Sequence, residues 1–170
     1  MTHPTLWILA GLPGSGKSTL GAMLASHLGA AYLRIDTIEQ ALRDLCAVRV
    51  QGEGYALAYR VAAENLRLGT SVVADSCNPI ELTRREWEGV ARDAGCAFVN
   101  VEVTCSDPDE HRRRVEMRPV AVPGLAMPTW QGVLAREYHR WTTEHVVIDT
   151  AGRSERECFD ELLVEIGKRG

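Results

Sequence analysis

Gly11-Leu12-Pro13-Gly14-Ser15-Gly16-Lys17-Ser18 matches the spacing G-x-x-x-x-G-K-[ST] of a phosphate-binding loop at every fixed position. The apolar run Leu6-Trp7-Ile8-Leu9-Ala10 precedes it, and a helical pattern with Leu20, Leu24 and Leu28 follows. That context is what the physics of the loop needs. Glycines let the backbone curl until several N–H groups face a β-phosphate, and the next helix adds its positive N-terminal end. In such a loop Lys17 reaches the β and γ oxygens and the Ser18 hydroxyl binds Mg²⁺. Gly11, Pro13, Gly14, Ser15, Gly16, Lys17, Ser18 and Thr19 are therefore expected to line a nucleotide. A chance glycine-rich turn is the alternative. At a background glycine usage of about 7%, the four fixed positions coincide in only about one chain in a hundred.

Outward from the loop, short apolar or β-branched runs predict strands over 5–10, 31–35, 71–75, 97–104 and 145–148. Helical periods fall between and after them, at Thr83, Trp87, Val90 and Ala94, and at Phe159, Leu162, Leu163 and Ile166. Asp107-Pro108-Asp109-Glu110 and Asn78-Pro79-Ile80-Glu81 each read as a cap, a first-turn proline and an acid, and Ser154-Glu155-Arg156-Glu157 reads as a capping box. Near-continuous apolar strands alternating with helices imply a parallel sheet covered on both faces, a doubly wound α/β three-layer sandwich. Residues 46–54 and the proline-rich stretch 118–129 fit neither pattern. The second of these reads either as a mobile lid behind an arginine cluster or as a plain connector.

The 170 residues, with 45% hydrophobic and 25% charged side chains, suit one domain over 1–170. A net charge of −4 gives no general footprint for a long nucleic acid. No apolar run approaches the roughly 20 residues of a membrane span. Met1-Thr2-His3-Pro4 leads straight into the first strand and leaves no room for a signal peptide. Five cysteines without C-x-x-C spacing and scattered histidines argue against a disulfide framework or a zinc site, and for the reduced thiols of a cytoplasmic protein.

The chemistry-bearing positions lie at strand ends. Asp75 closes Val72-Val73-Ala74-Asp75, where a carboxylate beside a phosphate loop anchors Mg²⁺ and its waters, or else caps a turn. Ser76 follows it, where motor ATPases place a Glu to polarise water, and no N-K-x-D segment reads guanine. Both absences favour transfer to a substrate hydroxyl over hydrolysis or a GTPase switch. Asp36, after Leu33-Arg34-Ile35, is placed to accept the proton of an attacking hydroxyl, though Asp36 with Glu39 also reads as a capping box. Arg114 and Arg118 sit four apart, as on one helical face, and so read either as a clamp on transferring phosphates or as a solvated face with Glu110 paired to Arg114. Arg112 and Arg113 read as surface; Arg43, Arg49, Tyr55 and Arg60 as surface or packing; Trp87, Trp130 and Trp141 as helical core positions. The stretch Asp149-Thr150-Ala151-Gly152 is placed to border a nucleotide base.

Together these pieces resemble the small P-loop kinase superfamily, in particular short kinase domains related to chloramphenicol phosphotransferase, polynucleotide kinase, zeta toxins and gluconate or adenylylsulfate kinases. The likeness rests on 11–19, Asp36, Asp75 in Val-Val-Ala-Asp-Ser-Cys-Asn, Arg114-Val-Glu-Met-Arg118 and Val147-Ile-Asp-Thr150. It implies a five-stranded parallel sheet in order 2-3-1-4-5, ATP with Mg²⁺, Asp36 as the base, and an arginine lid carried by Arg114 and Arg118. Polynucleotide kinase has an arginine three residues after the matching Asp, where this chain has Glu39. A small-molecule acceptor is therefore the leading expectation. Its rivals are a nucleotide or polynucleotide 5′-hydroxyl acceptor, and a nucleotide-binding switch with no acceptor.

Overall fold

Along the first strand, Leu6 and Ile8 point to one side and Trp7 and Leu9 to the other, so both faces must be covered to bury them. In the computed structural model, which describes residues 3–168, helices cover both faces. The elements run β1 (Thr5–Ala10), α1 (Lys17–Leu28), β2 (Ala31–Arg34), α2 (Ile35–Cys46), α3 (Glu53–Arg67), β3 (Val72–Asp75), α4 (Glu81–Asp93), β4 (Ala97–Thr104), α5 (Pro108–Met117), α6 (Trp130–Leu134), β5 (Val146–Asp149) and α7 (Glu155–Gly167). The five strands are parallel, in the order β2-β3-β1-β4-β5. The three-layer sandwich and the strand order are those the sequence and its resemblance imply.

Two cores flank the sheet. Leu9, Val73, Val101, Val103 and Ile148 pack with Leu20 and Leu24 of α1 and with Phe159, Leu162 and Ile166 of α7. On the other side Leu6, Ile8, Val72 and Ala74 meet Ala58, Ala62 and Leu66 of α3 and Trp87 of α4. Register brings the C-terminal ends of β1 and β3 together, with Leu9 opposite Asp75, and so sets the phosphate loop beside the residues that follow β3. In this fold ligands occupy the crevice at those strand ends, where the order reverses between β1 and its neighbours.

Helix capping agrees with the sequence at two starts and departs from it at two others. The Asp107 side chain accepts the Asp109 and Glu110 amides ahead of Pro108, and Ser154 with Glu157 closes a full capping box. Asn78, however, is no cap: Ile80 takes that position without a side-chain bond. Asn78 instead holds a left-handed backbone, is fully buried, and donates Nδ2 to the Leu9 carbonyl at 2.6 Å. Its amide serves the end of the central strand, a long-range partner that the local pattern does not reveal. Nor is Asp36 a cap, because β2 ends at Arg34 and the helix begins directly at Ile35. The N-cap is Arg34, and Asp36 lies inside the first turn. Trp141 is not helical either. It lies in the irregular stretch before β5, stacked on His145 with the Arg84 guanidinium 4.0 Å from its ring centre.

Candidate active site

The phosphate loop is held open from outside. Its carbonyls are tied away from the crevice: Pro13 O lies 2.8 Å from His111 Nε2, and Ser15 O accepts the Thr150 hydroxyl at 2.9 Å. Gly11 donates its amide to Cys77 O at 3.1 Å, joining the loop to the segment after β3. Glycine is required at the two contact points. A Cβ on Gly11, at φ +146°, would overlap the Val103 carbonyl oxygen, and one on Gly14, at φ +83°, would lie 2.7 Å from Val115 of α5. The loop ends on Gly16, which caps α1 with no side-chain bond. The first-turn amides of α1, having no intrahelical partners, are therefore offered to an anion.

Lys17 is the first residue of that helix and is only 6% exposed, yet its ammonium makes no hydrogen bond or ion pair among the described residues. A buried cation without a protein partner, at an uncapped helix start, is chemistry matched to a bound phosphate. The helix opens on a cavity of about 800 Å³, the size of a small-molecule site. Lys17, Ser18, Tyr32, Arg34, Arg114 and Arg118 are among its walls; Asp36 and Asp75 are not.

Asp75 lies just beneath, 2% exposed. Tyr32, which the sequence reading did not single out, links it to the loop. The Tyr32 hydroxyl donates to Asp75 Oδ2 at 2.6 Å and lies 3.3 Å from the Ser18 carbonyl. Burial, reinforced by the Asp75 charge, pushes the Tyr32 phenol far above its ordinary value, so it stays protonated and can only donate to that carboxylate. Asp75 Oδ1 remains buried with no hydrogen-bond partner among the described residues. The only advance sign of Tyr32 was a phenol in an apolar strand.

The arginine pair separates. Arg114 is on α5, and its guanidinium is engaged on the β5 side: Nη1 donates to Thr150 Oγ1 at 2.7 Å, and Nη2 to Thr150 O at 2.9 Å and Glu110 Oε1 at 2.5 Å. Arg114 thus lines the cavity while paired to Glu110, as one of the sequence readings has it, but it is part-buried against Thr150 rather than on a solvated face. Arg118 departs from its expected place. The helix stops at Met117, and Arg118 follows in extended backbone, so it does not share the face of Arg114. It lines the cavity as a part-buried guanidinium, its pKa pushed down chiefly by burial, with Asp36, Arg34 and Cys77 as the charged or titratable groups that influence it.

Asp36 is half-exposed on the first turn of α2, with its Oδ2 3.9 Å from Arg34 Nη2 and no hydrogen bond to its carboxylate among the described residues. Arg34 also reaches toward Asp75, its Nε 3.7 Å from Oδ2. A charged residue in the apolar run Tyr32-Leu33-Arg34-Ile35 was a sign of this role that spacing rules do not use. Of the remaining candidates, Arg43 pairs with Glu39 on α2, Arg112 pairs with Glu116, Trp87 is core, and Arg49, Arg60 and Arg113 are exposed. Trp130 begins α6 and packs edge-on to His111 at 5.2 Å, bracing the contact to Pro13. The stretch 118–129 is irregular and is seated on α2, where Gly124 at φ +80° approaches Gln40 so closely that a Cβ would lie 2.9 Å from Nε2.

A model of the AAA domain family matches residues 6–136. A shikimate kinase of Frankia casuarinae is 31% identical over 172 residues, covering 94% of this chain and 72% of that protein. A shikimate kinase of Chlorobium phaeobacteroides is 53% identical over 36 residues, a match covering 21% of this chain and 18% of that protein. Among solved structures, APS kinase from Mycobacterium tuberculosis in complex with AMPPNP and APS superposes with a TM-score of 0.69 at 22% identity, covering 96% of this chain and 97% of that one. That last likeness is one of fold. The chain belongs to the AAA domain family and, with it, to the small P-loop kinases, nucleotide-binding phosphotransferases that act on alcohol groups.

Proposed function

We propose that this protein transfers the γ-phosphoryl group of ATP to a hydroxyl of a small molecule, with Mg²⁺ as cofactor. The observation that carries the reading is the uncapped start of α1, with buried and unpaired Lys17, opening on a cavity that Arg34 and Arg118 also line. Gly11, Pro13, Gly14, Ser15, Gly16 and Thr19 shape the phosphate cradle, and Thr150, bonded to both the loop and Arg114, borders the nucleotide. Ser18 and the orphan oxygen of Asp75 fit Mg²⁺ and its waters, a hard cation that takes oxygen ligands. When bound, the ion neutralises phosphate charge.

Asp36 accepts the proton of the acceptor hydroxyl while its oxygen bonds to the γ-phosphorus and the bond to the β–γ bridging oxygen breaks, releasing ADP. What supports this is the half-exposed Asp36 carboxylate, which accepts no hydrogen bond among the described residues and whose nearest cation is Arg34 at 3.9 Å, a residue of the cavity wall. Lys17 and Arg118, which both line the cavity, stabilise the charge of the moving phosphoryl group. Arg114, whose donors are engaged, holds Thr150 and α5 in register with the loop.

Asp36→Asn is the direct test. Transfer of labelled phosphoryl to the acceptor should fall by about 10²–10⁴-fold, the usual worth of a general base, while ATP binding stays nearly intact. Full activity in that variant removes Asp36 from the mechanism. Stoichiometric nucleotide with no transfer to any pool of metabolites, nucleosides, antibiotics or oligonucleotides would point to a nucleotide switch instead.

A further inference from the structure

Arg84 lies near the start of α4, is only 3% exposed, and forms no ion pair among the described residues. A buried guanidinium without a counter-ion is costly, so it persists only where other groups meet its charge. Here four main-chain carbonyls do so. Nε donates to Asn78 O at 2.9 Å, Nη1 to Arg140 O at 3.4 Å, and Nη2 to His139 O at 3.0 Å and Pro79 O at 3.4 Å. The rings of Trp141 and Tyr138 close around it, their centres 4.0 and 5.1 Å from the guanidinium carbon.

Those carbonyls belong to two segments far apart in sequence, the turn after β3 and the irregular stretch before β5. The segments also meet directly. His139 donates its amide to Pro79 O at 2.7 Å, and its Nδ1 accepts the Glu81 amide at 3.2 Å, standing in for the side-chain cap that Ile80 does not supply. From this knot the phosphate loop is one residue away. Asn78 donates to Leu9 O at the end of β1, and Cys77 beside it accepts the Gly11 amide. The second segment returns to the same point, with Arg136 donating to Cys77 Sγ at 3.3 Å. Arg84 itself does not line the cavity.

We infer that Arg84 is a positioning residue for nucleotide binding. Through Asn78 and Cys77 it fixes Leu9 and Gly11, and with them the direction in which the loop amides point. A rigid planar fork suits this task, because one group must hold two segments in a set relation, whereas a lysine ammonium is a point donor. The inference rests on the nucleotide-binding reading of the loop and adds to it a residue outside the cavity.

The test measures ADP binding to the full chain with Mg²⁺ by calorimetry, beside thermal unfolding and amide hydrogen exchange. Arg84→Lys should weaken ADP binding by about 3–30-fold, the range expected of a residue acting through its neighbours, and speed exchange at Gly11 and the loop amides of the free protein. Arg92→Met is the control. That arginine lies on the same helix over Phe98 and holds neither segment, so the ADP Kd should stay unchanged whatever happens to Tm. Combined with Asn78→Gly, Arg84→Lys should weaken ADP by less than the product of the two single changes, as expected of residues acting in series. Should Arg84→Lys fail to fold, His139→Ala removes only a half-exposed side chain and its bond to Glu81, and should weaken ADP by about threefold or more. An ADP Kd within about twofold of wild type in the folded variant, or an equal change in Arg92→Met, overturns the positioning role and leaves nucleotide binding intact. A wild-type chain that takes up no ADP overturns the nucleotide reading, and the positioning role with it.

Discussion

The two halves of the cavity are built differently. On the donor side the loop is tied to the surrounding fold, His111 to Pro13, Thr150 to Ser15 and Arg114, and Gly11 to Cys77, all within 3.1 Å, while Lys17 and Ser15 Oγ have no partner among the described residues. On the acceptor side Arg34, Asp36 and Arg118 approach without closing a hydrogen bond, and two buried Nε–H groups remain unpaired. On the function proposed above, the donor half would serve one invariant group, a chain of phosphates, and can be rigid before it binds. The acceptor half keeps its bonding capacity for a ligand, which makes it the half whose chemistry varies. Both halves hold unpaired polar groups, but only the loop side is fixed in place by hydrogen bonds to the surrounding fold.

That contrast predicts where each substitution registers. The largest effect should come from the donor side: Lys17→Ala should lower phosphoryl transfer by about 10²–10³-fold in single-turnover assays, the usual worth of one preorganised charge at a developing oxyanion. A loss below tenfold would mean that the loop amides do this work without it. Gly11→Ala should strike stability rather than turnover alone, since its Cβ meets the Val103 backbone, which has little room to yield. Overpacking of this kind costs about 1–3 kcal/mol and strained positive φ adds a similar amount, readable as a lower urea midpoint. A wild-type midpoint would show that the donor half is not rigid.

Tyr32→Phe sits on the boundary between the halves. It leaves Asp75 without its donor, at a cost of about 1–3 kcal/mol in unfolding free energy, and should raise the Mg²⁺ concentration needed for half-maximal activity. An unchanged Mg²⁺ dependence would separate Asp75 from the metal. The smallest effect is on pH dependence. The Gly152 amide, and beyond it Arg114, hold the Glu110 carboxyl below its ordinary value. Its folded pKa being depressed, the stabilisation is present above the unfolded value of about 4.3 and fades as pH falls through the folded one. Glu110→Gln should therefore flatten the acid limb of a stability–pH curve and leave neutral pH little changed. A limb as steep as wild type would show that Glu110 does not anchor Arg114.

Much of the fold was legible because it is local. The strand periods, the loop spacing and the caps at Asp107 and Ser154 are all patterns within a few residues, and each is present in the structure. The failures share one cause, a long-range partner overriding a local signal. Asn78 and Asp36 have the residue types and spacings of caps, yet Asn78 is drawn to Leu9 and the chain enters α2 a residue before Asp36. Arg114 and Arg118 have helical spacing, but the helix ends between them ahead of Pro119.

By itself the sequence determined the form of the loop between β1 and α1, because glycines at set offsets before a helix start encode that backbone geometry directly. It determined the parallel sheet for a similar reason, since strands apolar on both faces have to be covered on both. The acceptor half was decided only by tertiary structure. Tyr32 reaches Asp75 because β2 lies beside β3, and Arg118 reaches the neighbourhood of Arg34 because the chain leaves α5 and crosses the cavity toward α2. Those contacts join residues dozens of positions apart, and no local spacing records them.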